Sequence, residues 1–288
     1  MLDLHLHSSC SDGSDSPEEL VALAAAARSA SGEALTTIAL TDHDTLEGLE
    51  RAGAAAEAAG LGFLRGCEVS ALFEGQSVHL LCYFVPEGPS PLEALLGGLR
   101  QDRANRNLEL IAKLHAGGIE VSTEALLAKA GSPEGLGRPH FAEVLVELGH
   151  ASSIQDAFDR FLADGGPFYV SKAHLAPRAV AEAAHQSGAV CVVAHPLRNM
   201  GWTGSVLEQK LTTLRTEGID GVEVYYGSWS PEQITEVGHL AERLGMVATG
   251  GSDYHGSKKP DLSIGTGRGA LMVPDQLLEA LEAARPAR

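Results

Sequence analysis

The chain has 288 residues, 44% of them apolar and 20% charged, enough to bury a sizeable core without disulfide staples. Its 38 acidic against 21 basic side chains give a formal charge of −17. That charge argues against duplex DNA and anionic membranes as partners, both of which need clustered Lys and Arg. The four cysteines have no paired spacing, the N-terminus lacks a basic and apolar leader, and no run reaches the length of a membrane span. A cytoplasmic protein with reduced thiols is expected.

In chain order, β-branched apolar runs alternate with Ala-, Leu- and Glu-rich segments of helical period. Strands are predicted at Met1–Leu6, Leu35–Leu40, Gly62–Val69, Ser77–Val85, Ala189–Ala194, Gly221–Tyr225 and Met246–Thr249. Helices are predicted at Pro17–Ser31, Leu46–Ala59, Leu92–Ala116, Ala176–Gln186, Val206–Glu217, Pro231–Leu244 and Gln276–Ala284. Ser16 before Pro17-Glu18-Glu19 is a helix start, with a cap, a first-turn proline and acids at the positive end of the dipole. The β-then-α order predicts an α/β fold with a mostly parallel sheet, plausibly closed as a barrel. The stretch Pro86–Pro91 is turn-rich, and 92–166 is helical without a convincing strand. The expected organisation is a discontinuous barrel domain, 1–91 and 167–288, with a helical insertion at 92–166 that covers the active-site face.

Chemistry concentrates at the strands. In His5-Leu6-His7 the period of two turns both imidazoles to one side, a ready chelate. Asp12 follows in a polar turn, and Thr41-Asp42-His43-Asp44 comes directly after a strand. Glu68 ends the third strand, His79 lies in the fourth, His195 ends the fifth, and Asp253 and His255 follow the last. Strand ends of a parallel barrel share one face, where active sites are built. These are nitrogen and oxygen donors with no thiolate cluster, which excludes a structural zinc site and suits Mn²⁺, Fe²⁺ or catalytic Zn²⁺. The set exceeds what one ion takes and suffices for two or three. Clustered ions serve phosphoryl hydrolysis, although amide hydrolysis uses similar parts.

Arg138, in Gly137-Arg138-Pro139-His140, and Arg198 tilt the choice toward an anionic substrate, because guanidinium matches phosphate oxygens. By spacing alone, a surface arginine with a carboxylate partner is the simpler reading of either one. Lys172 is a weaker candidate. His115, His150, His174, His185 and His239 read as solvated or capping, and Cys67 as core.

The strings HLHSSCSDGSDSPEEL, TDHDTLEGL, GCEVS, SVHLLCYFV, AHP and GSDYHG, in this order, resemble the PHP (polymerase and histidinol phosphatase) family. GRPHFAEVLVELG, AFDRFL and PFYVSK are similar to its stand-alone phosphoesterases with a helical insertion, among them nucleoside 3′,5′-bisphosphate phosphatases. The resemblance implies a distorted (β/α)7 TIM-like barrel with up to three metal ions. It implies His5, His7, Glu68 and Asp253 around one ion; Asp12, His43 and His255 around a second; and a bridging Glu68 with His79 and His195 around a third. It puts Arg138, His140 and Arg198 at substrate phosphates, with Asp253 and His140 as catalytic residues. Where the subgroup often has HPGR this chain has HPLR, so Leu197 could tilt Arg198.

The expectation is a metal-dependent phosphatase, with Mn²⁺ as the expected ion and Fe²⁺ or Zn²⁺ as alternatives. Hydroxide held by two or three divalent ions would release the 3′-phosphate of a nucleoside 3′,5′-bisphosphate, with His140 or a water protonating the leaving oxygen. The expected partner is therefore a small phosphorylated nucleotide. Rival readings are a 5′–3′ exonuclease on short RNA, a histidinol phosphatase, or a non-catalytic metal-binding PHP module.

Overall fold

The structure is a computed structural model, describing residues 1–29, 31–130, 136–163, 165–170, 174–199 and 201–287. It divides into two compact units, Met1–Leu96 with His174–Arg288 (unit 1) and Gly97–Ala173 (unit 2).

Unit 1 holds a sheet whose strand order follows the chain: β1 (Leu2–Leu6), β2 (Thr37–Leu40), β3 (Gly62–Phe73), β4 (Gln76–Tyr83), β5 (Val190–Val193), β6 (Gly221–Tyr226) and β7 (Val247–Gly251). The sheet curls so that β7 returns to β1. Asp253 N–H donates to the His5 carbonyl at 2.9 Å, and His7 N–H donates to the Tyr254 carbonyl at 3.0 Å, giving a nearly closed seven-stranded barrel. Closure needs a residue without a side chain, since a Cβ on Gly251 would lie 2.4 Å from the backbone nitrogen and the Cβ of His5.

Strand existence follows the sequence pattern; strand direction departs from it in one place. β4 runs antiparallel to both β3 and β5, so the sheet is mixed where a mostly parallel one was expected. Phe73 pairs with Gln76, leaving only Glu74 and Gly75 for the turn, at φ 48° and 79°. Two residues with positive φ make a hairpin whose twist matches its strands, and they leave no length for a crossover helix. β3 therefore continues past its expected end at Val69.

The helices of unit 1 have local causes. In α1 (Pro17–Ala26) the Ser16 hydroxyl accepts from Glu19 N–H while the Glu19 carboxylate accepts from Ser16 N–H, a complete capping box. α2 (Leu49–Ala59) stops at Gly60, whose φ of 67° suits a left-handed cap. The long α3 (Pro91–Ala116), most of which belongs to unit 2, begins at a proline. Leu20, Val21, Ala24, Leu49, Ala52 and Ala56 pack α1 and α2 against Leu6, Ile38 and Leu40 of the barrel. A second cluster joins Leu4, Ala39, Leu81, Tyr83 and Val192 with Leu281, and the Tyr83 hydroxyl donates to the Leu4 carbonyl at 2.9 Å.

Unit 2 continues with α4 (Thr123–Ala130), α5 (Arg138–Glu147) and α6 (Ile154–Ala157), followed by a π-helical turn at Phe158–Leu162. Its own core contains Leu110, Leu114, Leu126, Phe141, Leu145 and Leu162. Unit 1 resumes with α7 (Pro177–Gln186), α8 (Pro196–Asn199), α9 (Gly204–Thr216), α10 (Pro231–Leu244) and α11 (Gln276–Ala283). No helix among the described residues is long and apolar enough to cross a membrane. Cys67, Cys82 and Cys191 are buried and all four cysteines are free thiols.

Candidate metal centre

Glu68 stands at the middle of the site, buried in β3. Its Oε2 lies 3.0 Å from His7 Nε2, 3.1 Å from His5 Nε2 and 3.4 Å from His43 Nε2. Its Oε1 lies 2.9 Å from His79 Nδ1 and 3.0 Å from His195 Nε2. One carboxylate thus faces imidazoles from β1, the segment after β2, β4 and the segment after β5. The antiparallel β4 contributes because its register sets His79 opposite Ser70 of β3, two residues from Glu68.

Asp253 and Asp12 extend the cluster. Asp253 Oδ1 lies 3.5 Å from His7 Nε2, 3.7 Å from His5 Nε2 and 3.4 Å from His255 Nδ1. Asp12 reaches His255 Nε2 at 3.3 Å, His7 Nδ1 at 3.6 Å and His43 Nε2 at 3.8 Å. Four overlapping groups have ligand atoms within 4.8 Å of one another: His7, Asp12, His43 and His255; His5, Glu68 and His195; His5, His7 and Asp253; and His43, Glu68 and His79. The structure brings together every metal-ligand candidate read from the sequence.

The chain bends sharply to deliver these groups. Asp44, His195 and Asp253 have φ of 54°, 30° and 56°, a left-handed region costly for residues with a Cβ. The loop carrying Asp12 is folded back so tightly that a Cβ on Gly13 would fall 2.4 Å from the His7 carbonyl oxygen. Asp42 pins that loop, accepting from Ser8 N–H at 2.7 Å and from the hydroxyls of Ser8 and Ser11 at 2.6 Å.

The donor set fits cations. A neutral imidazole carries one N–H, and His5 spends its Nδ1–H on Glu223 at 2.9 Å. Its Nε2 lone pair then faces the Glu68 carboxylate and, at 3.1 Å, His7 Nε2. Such an arrangement of bases is repulsive unless a proton or a metal ion lies among them. The buried Nδ1 atoms of His7, His43 and His195 have no hydrogen-bond partner.

The titration shifts report the same crowding. Burial opposes the charged form of His5, but Glu223, Glu68 and Asp253 outweigh it and raise its pKa well above the usual value. Burial instead prevails at His7, which is lowered, and at His43, which is pushed down to about 4. Burial would raise Glu68, yet His43 and His5 hold it well below the carboxylate range. Asp12 and Asp253 are likewise lowered against burial, the first mainly by His255 and His43, the second by His5 and His7.

Several contributors were not singled out in the sequence. Asp253 Oδ2 accepts from the Tyr226 hydroxyl at 2.6 Å, from Lys259 Nζ at 2.8 Å and from Arg198 Nη1 at 2.8 Å. Arg198 also donates to the Tyr226 hydroxyl, so Leu197 does not prevent it from reaching Asp253. Glu223 is fully buried in β6. An acid inside the apolar string GVEVYY was its available signal, because unpaired carboxylates are almost never buried.

Unit 2 carries a different kind of site. Arg103, Arg106 and Arg138 line a cavity of about 310 Å³ with Leu136, Gly137, Pro139 and Phe158. Arg106 is lowered by burial and by the charges of Arg103 and Arg138. Arg138 donates to the Leu162 carbonyl at 3.2 Å and lies 5.8 Å from the centre of the Tyr169 ring. His140 Nδ1 accepts from Gly137 N–H at 3.1 Å, so its ring proton sits on Nε2. Lys172 lies outside the described residues.

Comparison with known proteins agrees with the geometry. The PHP domain matches residues 3–133. A 3′,5′-nucleoside bisphosphate phosphatase from Chromobacterium violaceum is 34% identical over 255 residues, covering 88% of this chain and 87% of the relative. A 5′-3′ exoribonuclease from Haemophilus influenzae is 33% identical over 256 residues, covering 88% and 89%. A solved structure from Bifidobacterium adolescentis, described as a candidate metal-dependent phosphoesterase, superposes with a TM-score of 0.74 at 29% identity, over 99% of this chain and 96% of that one. With its barrel, its histidine–carboxylate cluster and these relatives, the chain belongs to the PHP family and is a metal-dependent phosphoesterase.

Proposed function

We propose that the enzyme removes the 3′-phosphate of nucleoside 3′,5′-bisphosphates, leaving a 5′-nucleotide. The observation that carries this reading is the ligand cluster around Glu68, whose nitrogen and oxygen donors suit clustered ions that handle phosphoryl oxygens. Sequence similarity to a bisphosphate phosphatase supports the same substrate.

In this reading His5, His7, Asp12, His43, Glu68, His79, His195, Asp253 and His255 hold two or three divalent ions, Mn²⁺ first among Mn²⁺, Fe²⁺ and Zn²⁺. Bound there, the ions supply Lewis acidity that lowers the pKa of water and draws charge from phosphoryl oxygens. Glu68 and Asp253 keep the histidines aimed inward. Arg198, 42% exposed at its side chain, and Lys259 add positive charge beside Asp253 for the same oxygens. Arg138 is a contact for a substrate phosphate through its guanidinium fork. His140, with its proton on Nε2, is the donor to the leaving ribose oxygen. The helical segment 92–166 is an insertion in the sequence of a barrel domain formed by 1–91 and 167–288.

The test is phosphate release by the Mn²⁺-loaded enzyme from adenosine 3′,5′-bisphosphate, beside AMP, histidinol phosphate and a short 5′-phosphorylated RNA. Selective release from the bisphosphate, lost in Glu68→Ala, supports the proposal. Nucleotide release from the RNA with little bisphosphate turnover would replace it with the 5′-3′ exonuclease reading, which the Haemophilus influenzae relative favours.

A further inference from the structure

Glu223 sits at the crossing of two candidate ligands that come from different strands. Its side chain is fully buried in β6. Oε1 lies 2.9 Å from His5 Nδ1, and Oε2 accepts the His195 backbone N–H at 2.8 Å. Neither oxygen needs a metal ion to explain its place. Each instead governs how a histidine presents its other atoms to Glu68.

At His5 the consequence is tautomeric. A carboxylate has no proton to give, so the hydrogen between Glu223 and His5 resides on Nδ1, and Nε2, 3.1 Å from Glu68 Oε2, is the atom left to offer a lone pair to an ion. At His195 the consequence is conformational. Its backbone stands at φ 30°, and the bond from its N–H to Glu223 holds that strained turn while Nε2 points at Glu68 Oε1, 3.0 Å away.

We propose that Glu223 is a positioning residue of the metal centre, one carboxylate that sets the ligating tautomer of His5 and the strained backbone of His195 together. This rests on the metal-binding reading of the cluster. Carboxylates behind metal-ligating histidines commonly act in this way, and their loss costs roughly 10–100-fold in affinity. Here one group serves β1 and the segment after β5, so its removal weakens two ligands at once.

Glu223→Gln separates this role from simple packing. The amide keeps the shape but offers one acceptor oxygen and one donor nitrogen. The His195 N–H is always a donor and takes the oxygen. The NH₂ then faces His5 Nδ1, which must become an acceptor, so the ring proton moves to Nε2 and points at Glu68. The metal-free variant is fully hydrogen-bonded, yet His5 has lost its lone pair toward the ions.

The experiment uses metal-free wild type and Glu223→Gln, with Mn²⁺ binding measured calorimetrically and histidine tautomers read by ¹⁵N NMR. The expected result is Mn²⁺ affinity about 10–100-fold weaker in the variant, a metal-free variant that still melts cooperatively, and His5 Nδ1 protonated in wild type but unprotonated in the variant. Equal Mn²⁺ affinities overturn the proposal, as does a wild-type His5 protonated on Nε2 alone. Weaker binding with an unchanged His5 tautomer overturns it too, by reducing Glu223 to a structural role. Failure of wild type to bind Mn²⁺ would instead remove the metal-binding reading, while the NMR result still reports on Glu223.

Discussion

Glu68→Gln is the sharpest perturbation of the centre. The substitution keeps the side-chain volume and one acceptor oxygen but removes the charge shared by five imidazoles at 2.9–3.4 Å. At 3 Å a unit charge pair is worth about 5 kcal/mol with an effective dielectric constant of 20, before desolvation is subtracted. Breaking a buried pair by removing one partner costs about 3–5 kcal/mol, because the other charge stays buried. His5, whose pKa is raised well above the usual value, is that other charge in the metal-free protein. A domain of this size loses about 2–4 °C per kcal/mol, so the metal-free variant should melt roughly 10 °C lower. The sign with pH is definite. Glu68 is held below the usual carboxylate range, so its contribution is present at neutral pH and fades as the pH falls through its folded pKa. The gap between wild type and variant should therefore narrow on acidification. Glu68 also belongs to two of the ligand groups, so metal content should fall and phosphate release should drop about 100–1,000-fold, as for loss of a principal electrostatic group. Calorimetry, metal analysis and a phosphate-release assay measure these effects. Full metal content with activity within tenfold of wild type would refute the view of Glu68 as the shared ligand.

Other perturbations probe the rest of the molecule. Tyr226→Phe removes the 2.6 Å bond to Asp253 Oδ2 and should cost about 1–3 kcal/mol in stability, measured by urea unfolding; no loss would mean that Lys259 and Arg198 suffice. Asp3 is buried, accepts from Ser252 N–H at 2.9 Å and Gly265 N–H at 2.7 Å, and burial pushes its carboxyl up to about 6. A raised carboxyl pKa favours the folded state below about pH 4, and that advantage is lost as the pH rises to about 6. Asp3→Asn should flatten this slope in pH-dependent melts and destabilise the fold, because its amide NH₂ would face one of those N–H donors. Gly251→Ala should prevent barrel closure, seen as loss of soluble protein, because its Cβ would overlap the His5 backbone.

Much of the centre could be read from residue order alone. Period-two spacing aims His5 and His7 together, and placing His43, His195, Asp253 and His255 just after strands is enough to gather them once the strands are parallel neighbours. Capping at Ser16, the positive-φ glycine ending α2 and the helical period of α3 are likewise local properties that short stretches specify. The direction of β4 was less legible, because the decisive Glu74-Gly75 turn is a weak dipeptide signal, read only when the paired strands on both sides are seen. Tyr226 and Glu223 escaped notice for a different reason. Their chemistry depends on which atoms meet between segments well separated in sequence, as when Glu223 grips His5 and His195 over separations of 218 and 28 residues. Arg103 and Arg106 sit at ordinary helical positions, and only packing against α5 makes a cavity with Arg138. The sequence by itself thus determined the family, the barrel class and the donor set, since each is encoded in local pattern and strand-end placement. Tertiary structure decided the direction of β4, the sharing of Glu68 and the carboxylate behind His5, because those arise from register and closure, which no single segment contains.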